Sequence, residues 1–131
     1  MKSINPLMLL LGIAAASRVS RSCRDLILDP KTQILSGECN DGQLPDTAWV
    51  PAELDLNTCL SYDTEQDKIL WQRDGNFGAE CGDCYLDWEQ DPIWRIDKLV
   101  MNCTCFRSIN ASFPIDDSPI SNKYGTLVCI W

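Results

Sequence analysis

Ser22-Cys23-Arg24-Asp25-Leu26-Ile27-Leu28 and Glu80-Cys81-Gly82-Asp83-Cys84-Tyr85-Leu86 open two copies of one block, each with a cysteine at the start of a strand. The first copy continues through Ile34-Leu35-Ser36-Gly37-Glu38-Cys39 to Leu54-Asp55-Leu56-Asn57. The second continues through Met101-Asn102-Cys103-Thr104-Cys105 to Ile115-Asp116-Asp117. In each, a Leu follows the first Cys by five positions and an apolar residue precedes the closing Cys by four. A repeat of roughly 55 residues is a unit that needs a neighbour to cover its apolar face. Two such units imply one pseudo-symmetric domain, repeat one over about 20–78 and repeat two over about 79–131.

Working outward, the strand signals are short: Leu26–Leu28, Gln33–Ser36, Ile69–Gln72, Lys98–Met101 and Thr126–Ile130. Turn formers separate them, at Asp29-Pro30, Asn40-Asp41-Gly42, Asp74-Gly75-Asn76 and Tyr124-Gly125. No segment sustains helical periodicity, although Leu54–Leu60 suits one helical turn with Leu54, Leu56 and Leu60 inward. The class is therefore all-β, built from hairpins. Cys81 to Cys105 spans eight more positions than Cys23 to Cys39, so repeat two carries an insertion around Trp88–Arg95. Asp91–Leu99 reads as its loop. Trp88 and Trp94 read as a small satellite core, with an exposed aromatic recognition patch as the alternative.

Residues 1–17 read as a secretory leader: Lys2, the apolar run Leu7–Ala16, and the small-residue cleavage site Ala15-Ala16-Ser17. The run is too short to span a bilayer. Residues 18–131 then form a secreted, extracellular domain, and its eight cysteines in an oxidising compartment read as four disulfides. Eight cysteines permit 105 pairings. Cross-strand partners in an antiparallel hairpin keep a nearly constant sum of residue numbers. The nested choice Cys81–Cys105 with Cys84–Cys103 departs from that rule by one position, the crossed choice by five. With Cys23–Cys39 closing the first hairpin, Cys59–Cys129 remains. Zinc is the rival use of Cys81-x-x-Cys84 and Cys103-x-Cys105, but export favours oxidation and the chain has no His.

The full chain has net charge −8, and Lys2 is its only charged leader residue. That acidity, without a basic cluster, excludes a nucleic-acid partner and disfavours an anionic membrane surface. Without His, a Ser-His or Cys-His nucleophile system is absent. Asp63–Lys68 and Asp116-Asp117 read as solvated loops rather than catalytic carboxylates. No twelve-residue calcium loop occurs, and neither a metal nor a cofactor is expected. Asn102 and Asn110 head Asn-x-Ser/Thr sequons, and Asn110, in a polar loop, is the better glycan acceptor.

Taken in order, Ser22-Cys23, Leu35-x-x-x-Cys39, Leu54-Asp55-Leu56-Asn57, Ile69-Leu70-Trp71, Gly75-Asn76-Phe77 before Cys81, and Ser121-Asn122-x-x-Gly125-Thr126-Leu127 resemble the cyanovirin-N homology family. The extra cysteines are similar to those of secreted members from filamentous fungi. The resemblance implies two halves, each combining a three-stranded sheet of one repeat with a hairpin of the other. It also implies a lectin for mannose-rich glycans, with glycans or glycoproteins as partners and no catalysis. The site at the end formed by the termini corresponds to Arg21, Ser22, Asn40, Asp41, Gly42, Asn122, Lys123 and Tyr124. Tyr124 stands where the family usually has an acidic or amide residue. Asp41 and Asn122 are expected to be replaceable without harm to the fold. A second, doubtful site corresponds to Gln72, Asp74, Asn76 and Ser108, because Ser61–Asp67 replaces the family's turn there. A monomer is expected, with a domain-swapped dimer as the variant the hairpin exchange allows. The competing function is a secreted protein-interaction module that keeps the scaffold and has lost sugar binding.

Overall fold

The computed structural model describes residues 18–131 except 91 and 95. The leader expected over residues 1–17 lies outside the described residues. A four-residue helix α1 (Val19–Ser22) leads into strands β1 (Cys23–Leu28), β2 (Ile34–Asn40) and β3 (Trp49–Asp55), which form an antiparallel sheet in that order. A 3₁₀ turn (Leu56–Thr58) precedes the hairpin β4 (Leu60–Asp63)–β5 (Lys68–Trp71). A second 3₁₀ turn (Phe77–Ala79) leads into the sheet β6 (Cys81–Gln90), β7 (Asp97–Cys105) and β8 (Ala111–Pro114). The hairpin β9 (Ile120–Lys123)–β10 (Thr126–Cys129) closes the chain.

The hairpins are exchanged between repeats. β10 packs against β3 of repeat one, and β5 against β8 of repeat two. Both sheets also share a defect at one position. The β1–β2 register slips between Arg24 and Ile27, and the β6–β7 register slips between Gly82 and Tyr85. Each bulge contains an Asp two residues after the opening Cys, Asp25 and Asp83, in left-handed backbone. Asp tolerates that conformation better than most residues, and a bulge sharpens strand twist.

A second symmetric pair holds the short helices in place. Asn57 Oδ1 accepts from the Gly78 amide (2.7 Å), while its Nδ2 donates to Thr32 O and Gln33 Oε1 (both 3.3 Å). At the matching place in repeat two, Asp116 accepts from the Ser20 amide (3.1 Å), the Ser20 hydroxyl and the Leu99 amide (2.8 Å). Asp116 is 2% exposed. It is therefore no solvated loop residue, in correction of the expectation above, because its carboxylate satisfies donors from two distant segments.

Leu35, Leu56, Leu60, Phe77, Met101, Ile115 and Ile120 are fully buried in one core shared by both halves. Each such side chain contributes about 1.5–3 kcal/mol of transfer free energy. The four disulfides are Cys23–Cys39, Cys59–Cys129, Cys81–Cys105 and Cys84–Cys103. Cys59–Cys129 joins the junction before β4 to β10.

Several elements differ from the expectations. Strands β3 and β8 lack a sequence signal because each contains a proline, Pro51 and Pro114. Both are edge strands of their sheets, where a missing N–H is tolerated. Asp97–Leu99 belongs to β7 rather than to a loop, since Gln90, Glu89 and Trp88 pair with Asp97, Lys98 and Leu99. The insertion thus lengthens a hairpin. Trp88 is 56% and Trp94 74% exposed, so neither residue is buried as a satellite core would require.

Candidate functional site

One end of the first half carries a cleft of about 1050 Å³. All eight residues assigned to the terminal end line it: Arg21, Ser22, Asn40, Asp41, Gly42, Asn122, Lys123 and Tyr124. Trp49, Pro119, Ser121, Val128 and Ile130 complete its walls together with Cys129. Trp49 carried no sequence signal of a site, because Pro45 and Pro51 flank it and mask the strand. Its Cα pairs with that of Asn40, which fixes it beside the polar loop.

The β2–β3 loop is held by its own side chains. Asn40 Oδ1 accepts from the Gly42 amide (2.8 Å), and Gly42 adopts φ +66° without steric cost. Asp41 Oδ1 accepts from the Gln43 (3.0 Å) and Ala48 (3.1 Å) amides, and the Asp41 amide donates back to Ala48 O (2.9 Å). The Gln43 amide, then the Ala48 amide, hold the Asp41 carboxyl below its ordinary value. A depressed folded value means the contribution is complete above the ordinary carboxylate range and is lost as pH falls through the depressed one. In an NMR titration the Gln43 and Ala48 amide shifts are expected to move with a midpoint below the ordinary Asp value of about 3.9. A midpoint at or above that value would show that these bonds do not form in solution.

The facing wall is the β9–β10 turn. Lys123 pairs with Thr126, leaving the two-residue turn Tyr124-Gly125 with φ +53° and +91°. Positive φ at both positions is the requirement of a type I′ hairpin, whose twist suits the strands. Gly125 also leaves room for Val50, whose Cγ2 would lie 2.5 Å from an added Cβ.

Asn122 stitches the three segments together. Its Nδ2 donates to Asn40 O (2.9 Å) and Ser22 O (3.3 Å), and its Oδ1 accepts from the Gly125 amide (2.8 Å). Its amide group is occupied by the framework rather than presented to a ligand. Asn122 is therefore not a side chain that can be removed without harm, and this corrects the expectation. Hydrogen-bonding groups at the cleft outside these framework bonds include the second Asp41 oxygen, the Asn40 side-chain Nδ2, Arg21, Lys123 and the Tyr124 hydroxyl.

The second group of candidates is split. The Gln72, Asp74 and Asn76 amides donate to Cys59 O, Thr58 O and Asn57 O, at the root of the β4–β5 hairpin. Ser108 lies in the β7–β8 loop, which faces the hairpin's tip: the Arg107 amide donates to the Tyr62 hydroxyl (3.3 Å) and Arg107 Nη1 to Thr64 O (3.1 Å). Tyr62 in turn donates to Asp67. Burial, then the Asp67 hydrogen bond, pushes the Tyr62 hydroxyl up, so it remains a donor. The segments matching the walls of the first cleft are thus tied to one another through Tyr62 and Thr64 of the replaced turn and Arg107 of the facing loop. Both sequons lie on the sheet β6–β8: Asn102 is half-buried in the central strand and Asn110 is exposed before β8.

Among the described residues, no cluster of three or more His, Cys, Asp or Glu is arranged to hold a metal ion. None of their helices is long and apolar enough to cross a membrane. The site's chemistry is hydrogen bonding plus apolar contact.

Two solved structures are similar to this chain. A designed cyanovirin-N homologue lectin has 21% identity and a TM-score of 0.60, over 86% of this chain and 98% of its own. Microvirin, solved in complex with mannobiose, has 29% identity and a TM-score of 0.55 with the same coverages. No curated protein matches the sequence. The family model described as the CVNH domain matches residues 19–128, and with the fold and the paired repeats this establishes that the chain belongs to the CVNH-domain family.

Proposed function

We propose that this protein is a secreted carbohydrate-binding protein for mannose-type glycans, without catalytic activity. The observation that carries the reading is the cleft between the β2–β3 loop and the β9–β10 turn. Its loop is pre-formed by side chain to main chain bonds, so little ordering cost falls on binding. Planar Asp and Asn groups on such a loop suit sugar hydroxyls. Family membership and the mannobiose complex of microvirin support the class of ligand. The leader-like residues 1–17 and four disulfides support secretion, and exposed Asn110 is the proposed N-glycan acceptor.

A glycan array of the oxidised protein tests the reading, with a reduced sample as control. Selective retention, lost on reduction, is expected. Asp41→Ala is expected to weaken retention at least tenfold, a loss of about 1.4 kcal/mol or more in binding free energy. Asp41→Asn keeps the Oδ1 acceptor that holds the loop and separates loss of the carboxylate from loss of loop shape. Retention unchanged in both variants rejects this site.

A second reading has one specific observation behind it. The lengthened β6–β7 hairpin exposes three large apolar residues, Trp88, Ile93 and Trp94, and repeat one has no such insertion. Singly exposed apolar residues are ordinary, whereas a clustered set marks an interaction surface. A well-folded protein that retains no glycan would favour this hairpin as a protein-binding element.

A further inference from the structure

We propose that Trp49 and Tyr124 form an aromatic wall that takes the C–H face of a pyranose ring, while Asn40, Asp41 and Lys123 hold its hydroxyl edge. The proposal rests on the saccharide reading above and assigns the residues that would set specificity within it.

Trp49 is braced on one face. The Arg24 guanidinium lies 4.4 Å from its ring centroid, and Arg24 is itself held by Glu38 at 3.0 Å. A guanidinium over one face leaves the opposite face for a ligand, and Trp49, 38% exposed, lines the cleft. An indole fixed before binding loses little rotamer entropy when a ligand arrives.

Tyr124 is an unusual choice for its position. The first central residue of a type I′ turn sits in left-handed backbone, where Asn, Asp or Gly is relaxed and a bulky residue is strained. The cost is set against little packing gain, because Tyr124 is 71% exposed. Strain kept at a cleft residue that the fold does not need points to a task at the surface. From this turn the phenol ring lines the same cleft as Trp49, with Val128 and Ile130 of the adjoining strand and its extension.

The cleft therefore combines apolar walls with a polar rim. A phosphate or other wholly polar ion would leave the aromatic walls uncovered. A wholly apolar ligand would desolvate the Asp41 carboxylate without replacing its water. A pyranose has both chemistries, with hydroxyls around its edge and C–H groups on its face. Contact of an aromatic ring with an apolar face adds to the area it buries.

The test compares wild type, Tyr124→Asn, Tyr124→Phe and Trp49→Leu against mannobiose, methyl α-mannoside, cellobiose and diacetylchitobiose. Affinity is read by calorimetry and the bound face by saturation-transfer NMR. Tyr124→Asn is expected to bind about tenfold more weakly. The same variant should melt a few degrees higher, because Asn relieves the turn, so lost binding is not lost folding. Tyr124→Phe should stay within about twofold, Trp49→Leu should weaken binding by a similar factor of about ten, and ring C–H protons should take the strongest saturation. Wild-type binding matched by both Tyr124→Asn and Trp49→Leu overturns the aromatic wall and leaves the saccharide reading standing. No binding of any of the four sugars by folded wild type overturns both.

Discussion

Replacing Cys59 and Cys129 together by Ser is expected to cost about 4 kcal/mol, more than removal of any other bridge. The bridge closes a loop of 70 residues, whereas Cys23–Cys39, Cys81–Cys105 and Cys84–Cys103 close loops of 16, 24 and 19. In the chain-entropy account the freedom removed from the unfolded state grows with the logarithm of loop length, giving about 3 kcal/mol for the short loops. Topology adds a second consequence. Cys23–Cys39 and Cys81–Cys105 each staple a hairpin whose register already sets the two cysteines opposite each other, and Cys84–Cys103 spans the bulge of the second hairpin. Cys59–Cys129 instead fastens the β9–β10 hairpin to the opposite repeat. Without it that hairpin is free to exchange between copies, and a concentration-dependent dimer is expected by light scattering. Urea unfolding of the double-Ser variant measures the cost. A loss under about 1 kcal/mol would mean that burial alone fixes the exchanged hairpin.

Asp116→Ala is expected to destabilise the fold by about 3 kcal/mol and to lower the melting temperature by roughly 10 °C. The substitution strands the buried Leu99 amide and removes the acceptor of the half-buried Ser20 amide. An unmet buried donor typically costs about 1–3 kcal/mol. The neighbouring residue supplies the control. Asp117 faces Arg18 at 3.6 Å and Lys98 at 2.9 Å, with its side chain 39% exposed. Surface ion pairs of that kind are worth about 0–1 kcal/mol, so Asp117→Ala should cost well under half as much. Equal losses from the two alanine variants, measured by thermal melts of the oxidised protein, would remove Asp116 from its place as a structural keystone.

These two acids show where sequence reading stops. In the chain they are adjacent and alike, and both read as solvated. Their difference comes from Ser20 and Leu99, 96 and 17 residues away, and no local pattern announces those partners. Strand β3 was hidden for a local reason, because Pro51 breaks the apolar alternation that marks a strand. One local signal of the fold does stand in the chain. Asp25 and Asp83 stand at the same offset after the opening cysteines, and an acid that tolerates left-handed backbone at a repeated position marks the shared bulge.

The candidate cleft divides in the same manner. Asn40-Asp41-Gly42 and Tyr124-Gly125 announce turns through their own chemistry, so their existence is readable from the chain. The occupation of the Asn122 amide by Asn40, Ser22 and Gly125 is not readable, because two of those partners lie 82 and 100 residues distant. Nor is the presence of Trp49 in the same cleft as Tyr124.

By itself, the sequence determined the repeats, the all-β class and the turns, since side-chain alternation, turn chemistry and repeated cysteine spacing act over a few residues. Only the tertiary structure decided which turns converge into a cleft, which polar groups face a ligand and which are consumed as framework. The physical reason is that the Asn122 hydrogen bonds to Asn40 and Ser22 join segments that the exchange of hairpins brings together from opposite ends of the chain.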